Sequence, residues 1–155
     1  NYYTKSIVLG QELCDIKQVG YSSAGKGYCL AKTDKFEKAR DCIKNAEDIA
    51  LKIDNENIMF DVYRTYAVIC KHEKKWEEAL EYFRKSIAIV EKLKASYYLS
   101  DAHLEFGRLF YEKGDMKSTK KHFNIAERLY TELGLEKVEP VRNKLSKYNE
   151  YFKNI

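Results

Sequence analysis

The sequence predicts an all-α fold built as a solenoid of antiparallel helix hairpins, with about seven or eight helices. Three observations carry this. Glycine and proline are scarce, 7 and 1 in 155 residues, where average usage would supply roughly 11 and about 8. Tight turns are therefore few, which argues against a β-sandwich or barrel. Apolar residues recur at i, i+3, i+4 and i+7, the helical period. Finally, blocks beginning at Tyr21, Asp61 and Asp101 align without a gap at a 40-residue period.

The aligned columns alternate small and large side chains. They read Gly27, Ala67, Gly107; then Ala39, Ala79, Thr119; then Ile43, Phe83, Phe123; then Ala46, Ser86, Ala126. Phe36, Trp76 and Met116 follow the polar breaks Thr33-Asp34, Lys74-Lys75 and Gly114-Asp115. Each block thus holds two helices joined by a short break, which forces a hairpin. Small residues let the two axes approach, and large ones fill the space beside them.

One domain, residues 1–155, is expected, divided as follows. Residues 1–19 read as the second helix of a truncated repeat, because Lys5-Ser6-Ile7 and Leu13 match Lys85-Ser86-Ile87 and Leu93. A helical run is expected to continue from Glu12 to Val19. The chain is accordingly read as the C-terminal part of a larger protein. Repeats then occupy 20–57, 58–97 and 98–135. Residues 136–155 form a capping helix opened by Pro140, with Val138, Val141, Leu145, Tyr148, Phe152 and Ile155 on its apolar face.

These columns resemble the tetratricopeptide repeat in a 40-residue variant. Phe106-Gly107, Phe110, Phe123 and Ala126 match its pattern, as do Tyr66-Ala67, Ala79 and Phe83; Lys26 and Thr119 depart from it. The resemblance implies a right-handed superhelical solenoid whose first helices line a concave face that binds a protein or peptide segment. Carried over by column, the expected binding residues are Tyr28, Arg64, Lys71, Leu104, Arg108 and Tyr111. Arg64, Lys71 and Arg108 would hold ligand carboxylates, and Tyr28 and Tyr111 would pack. Chaperone-tail-binding members hold a terminal carboxylate with basic residues at places occupied here by Ala24, Tyr28, Thr65, Asp101 and Glu105. Two acids there would repel such a ligand.

Other chemistry is expected to be absent. Net charge is +4 with signs interleaved, which makes a solvated surface and not a nucleic-acid footprint. No run of about 18 apolar residues could cross a membrane. Gly20 to Lys26 fits the opening of a phosphate-binding loop, but Gly27 stands where Ser or Thr should follow. The glycines read instead as loosening the first hairpin. Cys14, Cys29, Cys42 and Cys70 are not spaced for zinc and read as buried free thiols in a reducing cytoplasm. His72, His103 and His122 fall in three different columns, so the fold is not expected to gather them. Neither enzyme activity nor a cofactor or metal is expected.

The leading expectation is therefore a non-enzymatic protein-interaction scaffold. The alternative is a ligand- or peptide-sensing module of a transcription regulator or signalling ATPase. Self-association through an N-terminal helix that exposes Ile7, Leu9 and Leu13 is a third expectation.

Overall fold

The computed structural model describes residues 2–150. Among these the regular structure is entirely helical: α1 (Tyr2–Glu12), α2 (Ile16–Ala31), α3 (Phe36–Lys52), α4 (Glu56–His72), α5 (Trp76–Lys92), α6 (Ser96–Lys113), α7 (Met116–Glu132) and α8 (Glu139–Asn149). The chain divides into two compact units, one up to Ile89 and one from Val90 onward.

The helices are separated by one kind of turn. A left-handed residue occurs every 20 positions: Cys14, Asp34, Asp54, Lys74, Lys94, Gly114 and Gly134. At each, the following N–H reaches back to a carbonyl in the last turn of the helix. Examples are Asp15 to Gly10 at 2.8 Å, Asn55 to Ala50 at 2.9 Å and Asp115 to Phe110 at 2.9 Å. This is the Schellman closure, which satisfies otherwise orphaned carbonyls. Where the residue that closes one helix is Asp or Asn, it also caps the next. Asp15, Asn55 and Asp115 accept the backbone N–H of Gln18, Ile58 and Ser118, each at 3.0 Å. The helix expected to run from Glu12 to Val19 is accordingly broken at Leu13–Asp15. Polarity at 12–19 is surface composition, and the carboxylate cap at Asp15 starts a new helix.

In the first unit, α2 packs against α1, α3 and α4. Its core joins Val19, Ala24, Ile43, Ala46, Ile49, Ala50, Ile58 and Val62. A Cβ on Gly20 would stand 2.7 Å from Ile58, and one on Gly27 2.7 Å from Ile43. These glycines are contact points between helices, so the helix propensity they forgo is recovered in close packing. Residues Gly20–Lys26 lie inside α2, and a helix interior cannot form a phosphate-cradling loop.

In the second unit α6 and α7 form the main contact, and α8 adds its face to α7. Leu104, Phe123, Ala126, Tyr130, Val141 and Tyr148 make the core. The ring of Phe123 occupies the space a Cβ on Gly107 would need. Thr119 is fully buried in the small-residue column and satisfies its hydroxyl on the Asp115 carbonyl at 2.7 Å. Ser86, in the first unit, does the same on Phe83 at 2.9 Å. Pro140 lies in the first turn of α8, as expected. Val138 is the residue before that helix and is exposed, not part of its apolar face. Phe152 and Ile155 lie outside the described residues.

Candidate functional site

In the first unit, α1, α2 and α4 assemble a cluster around Arg64. Its guanidinium carbon lies 3.8 Å from the centre of the Tyr28 ring and 5.0 Å from that of Phe60. One terminal nitrogen donates to Asp61 at 2.6 Å. The Arg64 Nε is buried with no hydrogen-bond partner among the described residues. A stacked, charge-paired guanidinium in this setting is strongly positioned. Burial pushes the Asp61 carboxyl up, and Arg64 opposes that shift. Tyr3 from α1 lies over Gly25, where a Cβ would come within 2.6 Å of the ring. Burial raises the Tyr3 phenol, with the Cys29 thiol and Asp61 adding to it.

The expected binding residues thus divide. Tyr28 and Arg64 are brought together, but the Arg64 side chain is only 12% exposed. It is as much a tie between helices as a surface group. Lys32 Nζ lies 6.0 Å from the Tyr28 ring centre on the exposed side. Lys71 sits in the last turn of α4, half-buried. In the second unit, Leu104 is fully buried in the core and not on a ligand face. Arg108 pairs with Glu105 at 3.5 Å, one turn earlier on α6, and Tyr111 is exposed. Ala24 and Thr65, two of the five places compared with a carboxylate clamp, are fully buried. Asp101, a third, is held by Lys144 at 2.6 Å and by the Tyr130 hydroxyl.

The histidines overturn their expectation. His103 and His122 meet Nδ1 to Nδ1 at 2.9 Å across the α6–α7 hairpin. His122 stacks nearly parallel to Phe110 and lies 4.4 Å from Phe106. Burial pushes both imidazoles down to about 4, helped at His103 by Arg128 and Lys121 and at His122 by His103 and Lys121. His72 instead stacks on Phe36 at 3.8 Å, the two flanking Asp54 at equal distance along the chain. Repeat columns compare one hairpin with another. Equal distance from the left-handed residue is the signal that would have found the Phe36–His72 pair; His103 and His122 stand 11 and 8 residues from Gly114, so no such signal marks them.

Cysteine placement also differs from expectation. Cys70 alone is buried; Cys42 is half-buried, and Cys14 and Cys29 are exposed. Burial raises the thiols of Cys42 and Cys70, the opposite of what a nucleophilic thiolate needs. Among the described residues no three His, Cys, Asp or Glu side chains converge on a metal position. No described helix is long and apolar enough to cross a membrane. Comparison with protein-family models and with curated proteins finds no match for this chain.

Proposed function

We propose that the chain is a tetratricopeptide-like repeat scaffold that binds a protein or peptide segment and carries out no catalysis. The observation that supports this best is the 20-residue recurrence of one turn, with first helices α2 and α4 in direct contact. Within each unit, the exposed side of the first helices is the proposed docking surface. In the first unit that surface presents Tyr28 with Lys32 beside it, backed by the fixed Arg64 guanidinium. In the second, α6 presents Arg108 and Tyr111. Aromatic rings beside cations suit an extended or helical segment with carbonyl and acidic groups. Because Arg64 and Arg108 are each paired to an acid on their own helix, they neutralise a ligand charge only in part.

The test is selection of twelve-residue peptides from a displayed library, followed by amide chemical-shift mapping. Binding below about 100 µM, centred on α2 and α4 in the first unit or on α6 in the second, supports the reading. Tyr28→Ala with Tyr111→Ala should then weaken capture at least tenfold with helicity unchanged. An acidic peptide ending in a free carboxylate of the chaperone-tail type should not bind at micromolar concentration. Shifts confined to α3, α5 and α7, or undiminished capture by the double variant, would refute it.

A further inference from the structure

We infer that α1 is a self-association surface that pairs antiparallel with α1 of a second copy of this chain. Twelve large hydrophobic side chains are exposed among the described residues, and five of them lie between residues 2 and 16. Tyr2 is 80% exposed, Val8 48%, Leu9 54% and Leu13 70%. Helical spacing places Lys5, Val8, Leu9 and Glu12 on one stripe, opposite Tyr3, Ile7 and Gly10; Ile7, expected among the exposed residues, instead packs against the core of the first unit. Tyr2 and Leu13 flank that stripe on the same side.

This stripe is complementary to itself. A two-fold axis between Val8 and Leu9 brings Lys5 of each copy opposite Glu12 of the other. It stacks the Val8 and Leu9 pairs at the centre and lays Tyr2 of one copy beside Leu13 of the other. Such isologous pairing is what a two-fold dimer requires. The charges argue for a second copy over any other occupant. Lys5 stands near the N-terminus of α1 and Glu12 at its C-terminus, against the helix dipole. The first turn holds no acid and the last turn no base. The arrangement therefore does not serve α1 in isolation; opposite an antiparallel copy it forms two ion pairs.

The surface is small. A helix of 11 residues is about 16 Å long, less than the patch a tight complex uses, so a dissociation constant of about 10–500 µM is expected. Sedimentation equilibrium of the whole chain between about 5 µM and about 1 mM tests this. Lys5→Glu and Glu12→Lys each improve the match to the helix dipole, so neither unfolds α1, and circular dichroism verifies it. Each alone should weaken the dimer about fivefold or more, and the two together should restore it to within about twofold. Leu9→Asp should give a monomer throughout. A monomeric wild type, single reversals without effect, or a double reversal that does not recover would each overturn the proposal.

Discussion

Lowering the pH should selectively loosen the second unit, because His103 and His122 must be neutral to fit. With both neutral, one Nδ1–H donates to the other Nδ1 across 2.9 Å. The first proton taken up binds the free Nε2 of the donor ring and leaves that hydrogen bond in place, but it puts a charge into a buried site. The second sets two N–H donors against each other, beside Phe106 and Phe110 and near Lys121 and Arg128. Each group titrates at about 4 when folded against 6.5 when exposed. The unfolded chain therefore binds more protons between those values, and stability falls as pH drops from 6.5 to 4. It is fully present above 6.5. One pH unit is worth about 1.4 kcal/mol per group, so His103, only 7% exposed, contributes a loss of about 3 kcal/mol over the window. His122 adds less because its edge reaches solvent. A loss of this size is a large part of the usual stability of a small domain. Urea unfolding followed by circular dichroism at half-unit steps from pH 7.5 to 4 gives the slope, and imidazole resonances give the titration points. His103→Leu with His122→Leu should flatten the slope above pH 4.5, below which carboxylates such as Glu73 and Asp115, whose partners hold them below their usual range, begin to contribute. A wild type as stable at pH 5 as at pH 7, or imidazoles titrating near 6.5, would refute the reasoning.

Two further perturbations probe the packing code and the turns. Gly107→Ala places a methyl group in the Phe123 ring and should cost about 1–3 kcal/mol in chemical denaturation. Gly25→Ala meets only the movable end of Tyr3 and should cost much less; equal costs would show that the crossing is misassigned. Lys74→Gly relieves a left-handed residue with φ of 60° and should stabilise by roughly 0.5–1 kcal/mol. Calorimetry showing a lower melting temperature would contradict that account.

Much of the site was not legible in sequence. Tyr28 and Arg64 belong to one predicted face, and the structure places them in contact. Column spacing says nothing of Phe60 or Tyr3, which arrive from a neighbouring turn and another helix. It also hides that Leu104 turns inward and that Arg64 is largely covered. Exposure depends on what packs above a residue, and no single-helix pattern records that.

The sequence by itself determined that the chain is helical, that a small–large code repeats, and which residues are its crossings. Gly27, Ala67, Gly107 and Ala39, Ala79, Thr119 are all buried as that code requires. Local propensity and apolar spacing suffice for this, because each helix needs one covered face. The sequence marks the breaks at Asp34, Lys74 and Gly114, and only the structure adds those at Cys14 and Lys94, which carry no turn preference and adopt left-handed backbone where a Schellman closure compensates. Tertiary structure alone joined His103 to His122, because their meeting depends on folding about Gly114. Burial then removed the solvation that would have kept them ordinary histidines.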